Sequence, residues 1–334
     1  MLNLSSEIFI GKFRLDYVQD VEIVSTWENL TDTCKISFPR KIKWFGSDNK
    51  YTDLITSGDN SLFKRLDDVT INLGYNGILS ERFTGQIMRI HTKRPIEFEC
   101  EDAMFKLKQK TIDKYVKGKN DGLTLKKLLS DILPTEVKFT ALDLTLVDFK
   151  IERATVAEIL DYLKKSFGLS SFFKNGVLNV GFAYDVEAVT TNTEIPVFKF
   201  QENIIDGDDL DYIRDDDVAI KIHAVSITSS KSPVSKIERD YGDTYGETRT
   251  LHFYNVSESE LAKLANDALS KLKYEGFRGS FTTFLEPKVQ HGDIIALQDD
   301  QIPDRNGKYL VRKVVTRFGA GIGGRQIITL DRKV

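Results

Sequence analysis

Cysteine is nearly missing from this chain: two in 334 residues, which excludes a disulfide framework and a cysteine metal knuckle. In Thr33-Cys34-Lys35-Ile36-Ser37-Phe38 the alternation places Cys34 with Ile36 and Phe38, and in Ile96-Glu97-Phe98-Glu99-Cys100 it places Cys100 with Ile96 and Phe98. Both are expected as free, buried thiols. No apolar run approaches the length of a membrane helix, and MLNLSSEIFIGKFRL has neither the basic start nor the continuous apolar core of a secretory signal. The expectation is a chain with no membrane segment and no signal peptide that folds in a cytoplasm. An excess of one charge is missing too. Lys and Arg number 47 against 50 Asp and Glu, a net charge of -3, so electrostatics makes no case for specific nucleic-acid binding or a membrane partner.

Motifs that carry chemistry are also scarce. The four histidines, His91, His223, His252 and His291, are far apart, show no metal-ligand spacing, and read as surface or satisfied strand residues. There is no G-x-S-x-G elbow, no P-loop and no cysteine in a nucleophile motif. The glycine-rich stretch from Gly319 to Gly324 lies between two strands, without the helix N-terminus that holds a phosphate, and reads as a hairpin loop. The acidic run Asp206-Gly207-Asp208-Asp209-Leu210-Asp211, followed by Asp215, Asp216 and Asp217, fails the EF-hand order and reads as a solvated acidic loop. No catalytic residue, metal ligand or cofactor is expected, so the chain is read as a non-enzyme.

What is present is the patterning of a soluble globular protein, 41% hydrophobic and 29% charged, long enough for two or three domains. Residues 1–100 are dense in period-two alternation, as in Val69-Thr70-Ile71-Asn72-Leu73, and predict a first β-barrel. The stretch from Lys43 to Phe63 breaks that rhythm. Its Trp44, Phe45, Tyr51, Leu54, Ile55 and Phe63 are costly to leave in water, and they form a candidate partner-contact loop.

Residues 101–185 change to mixed α/β. A short helix starts near Glu101 and Asp102; Leu125, Leu128, Leu129 and Ile132 make a helical face stopped by Pro134. Thr155 and Glu158 form a capping box for a helix ended by Gly168, and Asn175-Gly176 is a hairpin turn. Residues 186–334 return to strands, interrupted by an amphipathic helix over 257–275 with Ser257 and Glu260 as its capping box and Gly276 as its stop. The predicted fold class is mainly β with an α+β insertion, two small β-barrel domains flanking a small α/β domain. An internal echo reads either as two like halves or as two generic hairpins: D-V-T-I-N-L from Asp68 leads to G-Q-I-M-R-I from Gly85, and D-I-I-A-L from Asp293 leads to G-K-Y-L-V-R-K-V from Gly307.

Taken in order, V-S-E-S-E-L-A-K-L-A-N-D-A-L from Val256, F-R-G-S-F-T-T from Phe277, P-K-V-Q-H-G-D-I-I-A-L from Pro287 and G-K-Y-L-V-R-K-V from Gly307 carry a resemblance. So do F-T-G-Q-I from Phe83, F-E-C-E-D-A-M-F-K-L from Phe98, A-T-V-A-E-I-L-D-Y-L from Ala154 and N-G-V-L-N-V-G from Asn175. The whole order resembles the phage late control gene D family, the baseplate hub proteins of contractile tails. Two departures are Thr316-Arg317, where relatives often place a histidine, and the long loop from Lys43. The resemblance implies a structural component of a phage tail or contractile injection system, made in the bacterial cytoplasm and carried in the virion. It implies a homotrimer whose two barrels per subunit make a pseudo-sixfold ring, with a sixfold tail tube protein on one side and a threefold spike protein on the other. The alternative is a β-rich tail protein that binds or hydrolyses cell-wall glycans, which requires an aromatic-lined cleft with opposed carboxylates.

Overall fold

In the first third, period-two alternation becomes β1 (Leu4–Ile10), β2 (Phe13–Leu15), β3 (Asp20–Thr26), β4 (Thr33–Phe38), the short pair β5 (Lys41–Ile42) and β6 (Thr52–Asp53), β7 (Asp68–Tyr75), β8 (Ile78–His91) and β9 (Ile96–Glu101). This computed structural model describes residues 2–15, 17–42, 52–53, 62–117, 123–146, 149–182, 194–207, 209–228, 235–254 and 256–334. The inward faces are those the alternation predicts: Ile36, Phe38, Val69, Ile71, Leu73, Ile96 and Phe98 are buried with Cys34 and Cys100. The cysteines are free, face one another in the β4–β9 register, and are held above the ordinary thiol range by burial. Gly85 has a steric reason within F-T-G-Q-I: a Cβ there would lie 2.0 Å from the Glu101 carbonyl oxygen.

The middle of the chain forms α1 (Met104–Gln109), β10 (Thr111–Lys117), β11 (Leu123–Thr124), α2 (Leu125–Ile132), β12 (Lys138–Ala141), β13 (Thr145–Leu146), β14 (Phe149–Thr155), α3 (Val156–Phe167), β15 (Leu169–Lys174) and β16 (Val177–Phe182). Helix α3 has the predicted capping box, with Glu158 N–H donating to Thr155 Oγ1, and ends on Gly168 in the left-handed region at φ 69°. Asn175 and Gly176 at φ 51° and 75° make the tight turn between β15 and β16.

The last third contains β17 (Val197–Lys199), β18 (Ile204–Asp206), β19 (Leu210–Ile213), β20 (Ile220–Thr228), β21 (Ser235–Gly242), β22 (Glu247–Tyr254), α4 (Glu258–Leu272), β23 (Gly276–Thr283), β24 (Ile294–Gln298), β25 (Gly307–Gly319) and β26 (Gly323–Lys333). The Ser257–Glu260 capping box is present, but α4 stops at Leu272, before Gly276, which begins β23. Strands β20, β21 and β22 form their own three-stranded sheet, against which α4 packs with Leu261 and Ala265. Val225 and Ile227 of β20 reach instead into the core of the middle segment.

The mainly β class holds, but among the described residues the sheets do not close into two barrels. One 14-stranded sheet runs through both ends of the chain. The reason lies in β25, which is 13 residues long and uses one edge twice. Its Gly307–Leu310 run pairs with β24, and its Lys313–Gly319 run pairs antiparallel with β3 of the first third. The two halves thereby share one sheet.

Within this sheet the strand order repeats. The first half reads β3-β4-β9-β8-β7-β1 and the second β18-β23-β26-β25-β24-β17, with β19 continuing β18 along β23. One orientation differs: β1 is antiparallel to β7, whereas β17 is parallel to β24. The words of the sequence echo do not superpose on this repeat. Asp68 faces Gln86, one residue past Gly85, while the Asp293 carbonyl accepts from Val311 N–H, four residues past Gly307.

Candidate functional site

Three parts of the chain meet at a buried polar junction. Ser25 comes from β3, Asp32 from the turn after it, and Asp102 from the end of β9. Lys174 closes β15 of the middle segment, and His291 and Asp293 precede β24. Asp32 and Asp102 extend the β4–β9 register: Asp102 N–H donates to the Asp32 carbonyl at 3.1 Å, and Asp32 N–H donates to Asp102 Oδ2 at 3.1 Å. The other Asp102 oxygen accepts from Met104 N–H at 3.0 Å at the start of α1. Asp32 also accepts from Thr26 N–H at 3.0 Å and from Ser25 Oγ at 2.5 Å, and Ser25 Oγ stands 2.6 Å from His291 Nδ1.

Loss of water dominates the titration of this junction. Burial pushes Asp32 up to about 7, against hydrogen bonds from Ser25 and Thr26 that favour its charged form. Asp102 is raised in the same direction by burial and then by the neighbouring Asp32. His291 is pushed down to about 3 by burial, with the Lys174 ammonium adding to it. His291 is therefore neutral. A proton on Nδ1 lets it donate to Ser25, whose own proton goes to Asp32, and its Nε2 is left buried without a hydrogen-bond partner. The Phe172 ring meets the imidazole edge-on at 5.2 Å between centroids.

Serine, histidine and aspartate within hydrogen-bond reach invite comparison with a nucleophilic triad, and the connectivity answers it. In a triad the imidazole stands between acid and hydroxyl. Here the hydroxyl stands between acid and imidazole, and the His291 side chain is only 3% exposed. The arrangement joins segments and does not have the order of a triad. Beside it, Lys174 Nζ and Asp293 Oδ1 form an ion pair of 2.9 Å with side chains 2% and 4% exposed.

A second joint links the halves directly. Tyr75 of β7 donates to the Gly324 carbonyl at 2.7 Å, and Arg82 of β8 pairs with Glu286 at 2.6 Å and donates to the Leu285 carbonyl. Gln326 satisfies the turn before β24 from within, donating to the carbonyls of Phe284, Leu285 and Pro287 and accepting from Val289 N–H.

Of the candidate contact loop, Phe63 is buried in the first half's core against Phe13 and Phe98. Trp44, Phe45, Tyr51, Leu54 and Ile55 lie outside the described residues. The acidic run falls on the outer strand of the second half: Asp206 ends β18, and Asp209 and Asp211 are exposed beside β19. Among the described residues it does not converge as ligands. His91, Glu97 and Glu99 do come within 4.8 Å of one another on the β8–β9 hairpin, where Lys93 already holds Glu97 at 3.0 Å. Of the histidines, His223 pairs with Asp240 at 2.7 Å as a surface residue, while His291 departs from the expected satisfied strand histidine. Its partners lie more than 250 residues away in sequence, at Ser25 and Asp32, and no local spacing announces them.

A cleft of about 760 Å³ opens beside the junction, between Trp27, the Gly168 end of α3, β22 and the Leu264–Leu272 flank of α4. Trp27 and Phe253 give it two aromatic walls, and Glu28, Asp267 and Asp331 contribute carboxylates. Asp331 is tied to Arg332 at 2.7 Å, and the carboxyls raised by burial, Asp32 and Asp102, do not line it. Among the described residues, neither of the two buried carboxyls faces this cleft, where glycoside hydrolysis would need a carboxyl pair across it.

No protein-family model matches the chain, and no curated protein matches it in sequence. Solved structures share its fold. The tail protein from Neisseria meningitidis MC58 is similar with a TM-score of 0.59 at 16% identity, over 99% of this chain and 97% of that one. The 43 kDa tail protein of prophage MuSo2 from Shewanella oneidensis gives 0.56 at 14% identity, over 99% and 98%. The E. coli c3393 protein, a type VI secretion component with structural similarity to the T4 bacteriophage tail proteins gp27 and gp5, gives 0.59 at 11% identity, over 97% and 76%. The fold is thus one found in phage tail and type VI secretion proteins, the class of fold that the resemblance in the sequence implied.

Proposed function

We propose that this chain is a structural tail hub of a phage or a related contractile injection system, acting as a homotrimer between a sixfold tail tube and a threefold spike. The observation that carries this reading is the repeated strand order of the two halves, joined head to tail through β3 and β25. Two like halves per chain let three copies present six similar units to a tube while keeping threefold symmetry for a spike. The likeness of the whole chain to phage tail folds supports the same reading.

In this account residues 1–100 and 186–334 supply the ring units and residues 101–185 form a small α/β domain between them. The loop carrying Trp44, Phe45, Tyr51, Leu54 and Ile55, anchored at its base by Phe63, is assigned to partner contact. The chain works by geometry, with no catalytic step, and belongs to the virion. Light scattering over a range of concentrations tests the assembly: a species of three chains is expected, favoured as concentration rises. A monomer throughout, alone and with the tube protein, contradicts it.

A further inference from the structure

The join between the two halves uses one edge from each, and each half retains the counterpart of the edge it lends. In the repeat, β3 corresponds to the interrupted strand β18–β19, and β25 corresponds to β8. Strand β3 is held between β4 and β25. Strand β18–β19 has β23 on one side and, among the described residues, no strand on the other. At the other end, β8 pairs with β7 only as far as Gln86, and the Leu66–Asp67 backbone covers Ile87. The run Met88–His91 then has β9 on one side and no strand on the other among the described residues.

Resting on the trimeric reading above, we propose that the β8 edge at Met88–His91 of one copy pairs antiparallel with the β18–β19 edge of the next, repeating between copies the β25–β3 join within each. The chemistry of the two edges matches the template. Across the internal join, Arg317, two residues before the end of β25, pairs with Glu22 of β3 at 2.9 Å. Arg89 holds the same place, two residues before the end of β8, and is exposed. Lys93 and Arg94 follow in the turn.

The opposing edge is acidic, with Asp206 at the end of β18, Asp209 just before β19 and Asp211 within it, while Glu202 before β18 is already paired with Lys199 at 3.5 Å. It also carries Ile205, 42% exposed on a strand whose partner side is open. An unpaired strand edge with an exposed apolar residue is a template for another strand, and surrounding charges of one sign restrict which strand can pair. The acidic run thereby gains a role as the complement of Arg89. Because the two edges differ and lie in different halves, the contact is heterologous, and the threefold reading is the case in which its rotation closes into a ring.

The test uses two full-length variants, Arg89→Glu and Ile205→Glu, followed by light scattering alone and mixed. Each variant keeps one good edge and places a negative charge on the other. Each alone is expected to lose ring assembly by at least about tenfold in the concentration required: Arg89→Glu sets like charges across the contact, Ile205→Glu buries a carboxylate where an apolar side chain is to be covered, and either costs more than about 1.4 kcal/mol. Mixed, they retain a single workable contact, the β8 edge of the Ile205→Glu chain against the β18–β19 edge of the Arg89→Glu chain. The mixture should give one-to-one pairs of twice the 38.0 kDa chain mass and nothing larger. Pair formation also shows that both variants are folded. If the unaltered chain forms trimers and either variant does so equally well, the edges named here are wrong while the hub reading stands. If both variants stay monomeric and the mixture gives no pairs, the edge assignment is likewise overturned. If the unaltered chain never assembles, both readings fall.

Discussion

Replacing Lys174 by Met should destabilise the protein by roughly 3–5 kcal/mol, because it leaves the Asp293 carboxylate buried without its counter-ion. The magnitude follows from the surroundings of the pair. At 2.9 Å, Coulomb's law with an effective dielectric constant of about 20 gives an attraction of about 6 kcal/mol. Several kcal/mol of lost hydration per ion offset it, so the intact pair contributes little net stability while either ion alone retains its own penalty. Asp293→Asn should cost a similar amount through the stranded ammonium, although its amide oxygen can still accept from Gln290 N–H, as Asp293 Oδ2 does at 2.8 Å. The double variant removes both charges and should be more stable than either single one. A urea-denaturation cycle over the four proteins measures this directly, with a coupling energy of at least about 2 kcal/mol expected. Single variants within 1 kcal/mol of the parent, or strictly additive losses, would refute a dry, mutually dependent pair joining the middle segment to the second half.

Other consequences are local. Gly85→Ala should cost about 3 kcal/mol or more, read as a thermal shift, because its Cβ meets the Glu101 carbonyl oxygen at 2.0 Å, a backbone atom that cannot rotate away. Thr155→Ala should cost about 1 kcal/mol in the same assay by removing the acceptor for Glu158 N–H at the start of α3. For pH, Asp32 and Asp102 have raised values in the folded protein, so the native state holds protons that the unfolded chain has already released above the ordinary carboxylate range. Their contribution to stability is lost as pH rises to about 7 and beyond. His291, lowered to about 3, acts oppositely, and its contribution is lost as pH falls from 6.5 toward 3. Urea midpoints should therefore decrease from pH 6.5 to pH 8.5, and Asp102→Asn should flatten that decrease. An unchanged slope in the variant would remove Asp102 from the explanation.

Local patterning was legible wherever a few neighbouring residues decide the outcome. The Thr155–Glu158 and Ser257–Glu260 capping boxes, the Asn175-Gly176 turn and the inward registers of Cys34 and Cys100 all follow from chemistry within a few positions. Sheet continuity was not legible. Whether β25 closes its own half or pairs with β3 depends on which edge is available roughly three hundred residues away, and both outcomes demand the same alternation.

The sequence echo left duplication and two generic hairpins both open; the strand order does repeat, but the shift at Asp68 and Asp293 shows that degenerate strand words do not align it. The junction was hidden for a similar reason. Ser25, Asp32, Asp102, Lys174, His291 and Asp293 look like ordinary polar residues until the fold removes water from around them. The acidic run was equally plain in sequence, and only its place on an open sheet edge gives it a candidate partner.

The hub reading meets its most direct test in electron microscopy of the purified chain at assembling concentration, with class averages viewed down the ring axis. Rings of three chains with six similar lobes around a central passage are predicted. Rings of another order, or three-chain particles showing only three unlike lobes, would contradict it.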